Sequence, residues 1–86
     1  KHYSTPVVAD RVGDRFIVPL PYGTQVDWLR NVLTAGRARI SSRGETYDVV
    51  APEIIDATEA LPLLRRDRRR TFERTGIEHF LRVRIS

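Results

Sequence analysis

Glycine divides the first half of this chain into short segments, and this spacing limits the fold more than any other feature. Gly13, Gly23, Gly36 and Gly44 separate runs of apolar and β-branched residues at intervals of about ten residues. Runs of this length between turn residues are typical of short strands or of a single short helix. The chain has 86 residues, so we expect one small domain with a single core.

The residue patterns predict five strands, of which the first two pair antiparallel and the third and fourth form a hairpin. The strands are expected at residues 4–9, 15–20, 37–42, 45–50 and 79–85. Residues 10–14 supply the first turn. Pro19 and Pro21 cannot donate to a ladder, so the strand that follows should end there or leave that side unpaired. Arg43 and Gly44 form a two-residue hairpin turn, in which glycine supplies a positive φ. Ile40 lies on the apolar face of that hairpin.

Two or three short helices are predicted between the strands. The first covers about residues 25–35, and Thr24 is its expected N-cap. Asp56 begins a capping-box-like turn, and Pro62 stands at the first position of a helix that runs to about Arg74. Together with the strands, these helices predict a mostly antiparallel α+β domain, built as a small barrel or a curled sheet.

The composition removes most catalytic chemistries. The absence of cysteine excludes disulfides, a thiolate nucleophile and thiolate metal sites. His2 and His79 lie near opposite ends of the chain without metal-ligand spacing, so no metal site is expected. The glycines form no dinucleotide or phosphate-binding motif, and no serine stands in a nucleophile elbow. An enzyme with this sequence would therefore depend on a bound cofactor.

The ends and the hydropathy of the chain predict its location. No run of about 18 apolar residues is present, so we expect no transmembrane segment. Residues 1–6 lack the apolar region of a secretory signal, and we expect a cytoplasmic protein. The sequence contains no methionine, so Lys1 is not a translation start. We therefore expect residues 1–86 to form a single domain that lacks its N-terminal portion.

Several motifs occur in an order that matches a known family. They are residues 4–8 (STPVV), 13–18 (GDRFIV), 27–32 (DWLRNV), 44–49 (GETYDV) and 76–82 (GIEHFLR). In this order and spacing the chain resembles the deazaflavin-dependent nitroreductase family, in its poorly characterised actinobacterial branch. The resemblance covers nearly the whole chain.

The resemblance implies a split β-barrel of the flavin-binding type, commonly a homodimer, that holds coenzyme F-420 in a groove beside the barrel. Flavin mononucleotide is the less favoured cofactor. The reduced deazaflavin would deliver hydride to a small-molecule electron acceptor: a nitro compound, a quinone or a conjugated carbonyl. Relatives carry a basic Gly-Arg-Lys/Arg-Ser/Thr-Gly segment before the first strand, which holds the coenzyme's phosphate. That segment is part of what we expect this chain to lack.

The resemblance also assigns five cofactor-binding residues, and each has an ordinary structural alternative. Thr5 and Pro6 match the strand that lines the cofactor groove, or they simply open an edge strand. Trp28 and Asn31 match the helix that closes the groove. Alternatively, Trp28 is a core residue and Asn31 bonds a neighbouring loop. Tyr22 occupies the phosphate-side turn, or it anchors that loop.

The basic excess of the chain is confined to one segment. Residues 65–74 contain six arginines and two acids, a net charge of +4 that equals that of the whole chain. On a helix, Leu61, Leu64 and Phe72 would face the core. Four arginines would then point outward: Arg65, Arg66, Arg69 and Arg70. Asp67 would form an intrahelical ion pair with Arg70, and Glu73 would form one with Arg69 or Arg70.

This basic helix has three interpretations. It is a solvated helix whose arginine stems cover apolar surface, or it holds the acidic polyglutamate tail of the coenzyme. In the third, the chain is a noncatalytic binding module that uses residues Arg65 to Arg74 to engage an acidic partner, a nucleic acid or an anionic lipid. A nucleic-acid platform usually interleaves basic and aromatic residues, and only Phe72 is near.

Overall fold

The computed structural model describes residues 9–21 and 23–86. Its centre is a five-stranded antiparallel sheet with the strand order β1-β2-β5-β4-β3. The strands are Asp10–Val12 (β1), Arg15–Pro19 (β2), Arg37–Ser42 (β3), Glu45–Asp56 (β4) and His79–Ile85 (β5). The helices are Asp27–Ala35 (α1), Ala57–Ala60 (α2) and Arg66–Thr75 (α3), and Leu61–Leu63 form a 3-10 turn after α2. The sheet curls into a half-barrel, which confirms the predicted α+β class.

The first hairpin is tighter than predicted. Asp10–Val12 pairs with β2, so the turn is confined to Gly13 and Asp14. Residues 4–8 of the predicted first strand lie outside the described residues. β2 ends at Pro19, as predicted from the missing N–H group of proline.

The second hairpin confirms its prediction. Ser42 pairs with Glu45 across a two-residue turn, in which Arg43 and Gly44 have φ values of 51° and 80°. Two successive positive φ angles are typical of a type I′ turn, whose twist matches that of the flanking strands. Ile40 is buried, as expected for the apolar face.

A β-bulge makes β4 longer than the sequence pattern indicated. Val49 pairs with Ile85 and Ile54 pairs with Leu81. Between these two pairs, β4 advances by five residues and β5 by only four. The additional residue lies near Ala51, whose φ of 54° is unusual for a residue with a side chain. Such a bulge bends its strand and increases the local twist. β4 can therefore continue to Asp56 and curve around the sheet.

Apolar side chains pack on both faces of the sheet. On the first face a cluster forms around α1, and its buried members include Phe16, Val18, Leu29, Leu81 and Val83. On the second face α2 and α3 cover a cluster whose buried members are Ile17, Ile55, Ala60, Leu64, Phe72 and Phe80. Because successive strand residues point to opposite faces, α1 and α3 lie on opposite sides of the sheet.

The start of α1 differs from its prediction. Val26, not Thr24, is the N-cap residue, and it makes no side-chain capping bond. The predicted cap was wrong because Val26 packs against the first-face cluster, which fixes where the chain enters the helix. Gly36 follows the last turn with φ 72°, and its N–H group donates to the Val32 carbonyl. This left-handed residue ends α1 as predicted.

The segment after Asp56 forms α2, the 3-10 turn and α3 in succession. The N–H group of Glu59 donates to Asp56 Oδ1 at 3.0 Å, which confirms the cap of α2. The Glu59 carboxylate pairs with Arg82 at 2.9 Å instead of completing a capping box. Pro62 falls in the 3-10 turn, and the extended backbone of Leu64 and Arg65 interrupts the helix before α3. The prediction that α3 starts at Pro62 was therefore wrong.

Candidate functional site

The two cofactor-binding candidates that the structure describes lie on α1, but they face different surroundings. Trp28 is half-buried and packs against the first-face cluster. Asn31 is exposed and lines a groove beside α1. The other three candidates, Thr5, Pro6 and Tyr22, lie outside the described residues. The structure therefore brings Asn31 to an open groove and places Trp28 where it supports the helix.

This groove, which we call the α1 groove, lies between α1, β3 and β4. It has a volume of about 570 Å³, within the range of small-molecule sites. Its apolar wall consists of Val32, Ala35, Ala38, Val49 and Val50. Its polar lining residues are Asn31, Arg37, Arg39, Asp48 and Ser86. Half of the lining residues are apolar and half are polar or charged, so the groove offers both apolar surface and hydrogen-bonding groups to a ligand.

The charged groups of the α1 groove differ in how far they are already paired. Arg39 and Asp48 are cross-strand partners, and Arg39 Nε donates to Asp48 Oδ1 at 3.1 Å. Arg37 forms no ion pair with any residue that the structure describes. A guanidinium without a carboxylate partner can bind a phosphate or carboxylate with two parallel hydrogen bonds.

The tight turn at Gly36 explains why the Asn31 amide and the Arg37 guanidinium line the same groove. α1 ends at Gly36, whose left-handed conformation turns the chain directly into β3 at Arg37. Asn31 and Arg37 are thereby held on the same groove from two different elements. The residue pattern alone did not indicate that Arg37 lines this groove. The relevant signal was the short distance between the glycine that ends α1 and the first basic residue of β3.

Two arginines of α3 are bound to the protein itself. Arg68 Nε lies 3.1 Å from both carboxylate oxygens of Asp10, and its guanidinium lies 4.8 Å from the ring centroid of Phe72. Arg69 donates from Nε to the Leu61 carbonyl at 3.0 Å and from Nη2 to the Leu64 carbonyl at 3.4 Å. The prediction that Arg69 points outward was wrong, because the 3-10 turn presents carbonyls that its guanidinium satisfies.

The other arginines of this segment remain on the surface. Arg65, Arg66, Arg70 and Arg74 are exposed and line a shallow cleft together with Asp67 and Thr71. We call this surface the arginine cleft. Within residues 9–21 and 23–86, Asp67 and Glu73 form no ion pair, so the predicted intrahelical pairs are not present.

A third polar cluster surrounds Tyr47 on β4. Its hydroxyl donates to Glu45 Oε2 at 2.6 Å, and the Arg11 guanidinium lies 5.4 Å from its ring centroid. The hydrogen bond to the Glu45 carboxylate raises the pKa of Tyr47 above its usual value of 10.0, and desolvation and the Glu45 charge act in the same direction. The sequence analysis did not single out this cluster.

Among the described residues, no group of three or more His, Asp or Glu side chains is placed to hold a metal ion. The longest helix in this part of the chain has 10 residues, and none is long and apolar enough to cross a membrane. Comparison of the chain with protein-family models, curated proteins and solved structures gave no match.

Proposed function

We propose that this chain is a cofactor-binding oxidoreductase domain that holds a deazaflavin coenzyme, such as F-420, in the α1 groove. The principal support is the position of Asn31. The family resemblance assigns this residue to the helix that closes the cofactor groove, and it lines a groove of about 570 Å³. The proposed substrates are electron-poor acceptors of hydride: nitro compounds, quinones and conjugated carbonyls.

The lining of the groove suits a flat heteroaromatic ring. The partly buried Val32 and Ala38 offer apolar surface that removes one face of such a ring from water. The side-chain amide of Asn31 carries two N–H donors and one carbonyl acceptor. It can therefore bond both the carbonyl and the N–H groups at the edge of a pyrimidine-like ring.

Arg37 supplies the charge that an anionic cofactor tail requires. It stands in the groove without an ion-pair partner among the described residues. Arg39 already forms an ion pair with Asp48, and this pair holds the Arg39 side chain over β3 and β4. Arg37 would bind the phosphate, and the Arg39–Asp48 pair would fix the edge of the groove.

The protein's contribution to the reaction is orientation and exclusion of water. The bound coenzyme supplies the hydride, so the chain needs no nucleophile of its own. Asn31 and the apolar wall would hold the ring in one plane, with its open face toward the acceptor. Trp28 acts as a positioning residue, because its contact with the first-face cluster fixes α1 against the sheet.

The proposal extends to a cytoplasmic homodimer. β3 is the outer strand of the described sheet on the groove side, so its outward hydrogen-bonding groups are available for a second copy of the chain. The exposed Leu33 of α1 adds apolar surface on the same side of the sheet. Light scattering during size-exclusion chromatography would measure the mass directly, and a monomer at all concentrations would contradict this part of the proposal.

Fluorescence titration tests the proposed function. We expect saturable binding of oxidised or reduced coenzyme F-420, and weaker binding of flavin mononucleotide. Asn31→Ala and Arg37→Gln should each weaken binding by about 10-fold or more, as expected for lost hydrogen bonds to a polar or charged group. Arg30→Gln is the matched control, because Arg30 is exposed on α1 and does not line the groove. If neither redox form of coenzyme F-420 nor flavin mononucleotide binds to the folded protein, the proposal is wrong.

A further inference from the structure

The six arginines of residues 65–74 divide into two groups with different surroundings. Arg68 and Arg69 are held by Asp10 and by the carbonyls of Leu61 and Leu64. They anchor α3 to the rest of the domain. The exposed group consists of Arg65, Arg66, Arg70 and Arg74. The arginine cleft is thus a charged surface on a helix that the protein itself holds in place.

The exposed arginines form a row along α3. Arg66, Arg70 and Arg74 are each four residues apart, so they lie on one side of the helix at steps of about 6 Å along its axis. The row therefore extends over about 12 Å, and Arg65 stands at its N-terminal end. Asp67 is the only acid that lines the cleft, which leaves a net charge of +3 from four arginines and one aspartate.

We propose that the arginine cleft binds the phosphate backbone of a nucleic-acid duplex without reading its base sequence. Guanidinium groups fit phosphates with two parallel hydrogen bonds, and arginine keeps its charge at any physiological pH. Each strand of a duplex carries one phosphate per 3.4 Å of axis, so a row of about 12 Å spans about three to four phosphates. Charge complementarity of this kind supplies most of sequence-independent binding.

The burial of Phe72 and of the apolar face of α3 disfavours single-stranded nucleic acids and membrane surfaces as partners. Phe72 is the only aromatic residue of α3, its exposure is 5%, and its ring packs edge-on against Phe80. Single strands are bound by stacking bases on exposed aromatic rings, and the cleft offers none. Peripheral helices bind anionic membranes by inserting an apolar face, and the apolar face of α3 is covered by the sheet.

This surface is separate from the proposed cofactor site. α3 packs on the second face of the sheet, whereas α1, which lines the α1 groove, packs on the first face. The two sets of lining residues have no member in common. Loss of one binding activity therefore does not entail loss of the other.

The salt dependence of binding to a 20-base-pair duplex tests the inference. Four phosphate contacts predict that log K falls with log salt at a slope of about −3.6, an affinity loss of about 150-fold between 50 and 200 mM salt. The double variant Arg66→Gln/Arg70→Gln should reduce the slope to about −1.8 and this loss to about 12-fold. The control Arg30→Gln/Arg43→Gln removes the same charge from exposed positions outside the cleft and should leave the slope unchanged.

A second variant keeps the test valid if the first alters the fold. Arg66→Lys/Arg70→Lys preserves the charge, so the slope should stay near −3.6. The affinity should fall several-fold, because lysine cannot form the two parallel bonds of arginine. Circular dichroism of each variant shows whether α3 is retained.

The choice of probes separates the possible partners. We expect DNA and RNA duplexes of unrelated sequence to bind with similar affinity, and more tightly than polyglutamate or phosphatidylserine vesicles at the same ionic strength. Tighter binding to polyglutamate or to vesicles would overturn the inference, as would the absence of duplex binding. An equal loss of slope in the control variant would also overturn it, because the binding would then follow net charge alone.

Discussion

Arg69 and Arg70 are neighbours on α3, and replacing each by methionine should have very different effects on stability. Methionine keeps an unbranched stem but removes the guanidinium. At position 69 this removes the guanidinium donor from the carbonyls of Leu61 and Leu64, although the Leu61 carbonyl still accepts from the Leu64 N–H group. At position 70 the same change occurs on an exposed side chain that makes no hydrogen bond to another described residue.

The expected magnitude follows from the two hydrogen bonds of Arg69. A hydrogen bond from a charged donor contributes about 1.5–3 kcal/mol. The bond to Leu64 measures 3.4 Å, beyond the usual range, and adds little. Because Arg69 and Leu61 are only partly buried, water can replace part of the loss. We therefore expect Arg69→Met to lower the free energy of unfolding by about 2 kcal/mol, and Arg70→Met by less than about 0.5 kcal/mol.

Thermal unfolding followed by far-UV circular dichroism measures this difference. A domain of this size is stable by about 4–13 kcal/mol, so a loss of about 2 kcal/mol is easily detected. It corresponds to a fall in Tm of about 8–16 °C for Arg69→Met, against less than about 4 °C for Arg70→Met. Equal Tm values for the two variants would refute the division of the arginines into an anchoring group and an exposed group.

Three further predictions concern other elements. Ala51→Gly should raise Tm by about 3 °C. Glycine relieves left-handed backbone strain of about 1–2 kcal/mol, which exceeds its entropic cost of about 0.4–1 kcal/mol. A lower Tm by calorimetry would contradict this prediction. Because folding raises the pKa of Tyr47, the stabilisation that Tyr47 contributes is present below pH 10.0. This stabilisation is lost as the pH rises through the pKa of Tyr47 in the folded protein. Glu45→Gln should return that pKa toward 10.0, as measured by tyrosinate absorbance with Tyr47→Phe to assign the signal; an unmoved pKa would exclude Glu45 as its cause. A double-mutant cycle of Asp10→Asn and Arg68→Met in urea should give a coupling free energy of about 1 kcal/mol, since the pair is partly buried, and additive losses would show that the pair does not tie β1 to α3.

Local chemistry made several elements predictable from the sequence. The hairpin at Arg43 and Gly44 depends on φ preferences of the turn itself, and the end of α1 at Gly36 depends on a single left-handed residue. The last strand, residues 79–85, was predicted correctly because its apolar and polar residues alternate. In each case the determining interaction lies within a few residues of the element.

Long-range packing determined the elements that the sequence did not predict. β4 continues past Pro52 because pairing with β5 resumes after the bulge, which no local pattern indicates. Arg69 turns inward because the 3-10 turn presents two carbonyls to it. Trp28 and Asn31 share one helix, and the packing of α1 on the sheet decides that Asn31 lines the groove.

NMR mapping of coenzyme binding tests the proposed cofactor site most directly. Backbone amide signals would be followed while coenzyme F-420 is added to the isotopically labelled protein. We expect progressive, saturable shifts at Asn31, at Arg37 and at residues 48–50, with no shifts at residues 65–74. Saturable binding that shifts residues 65–74 and leaves the α1 groove unchanged would contradict the assignment of the cofactor to this groove.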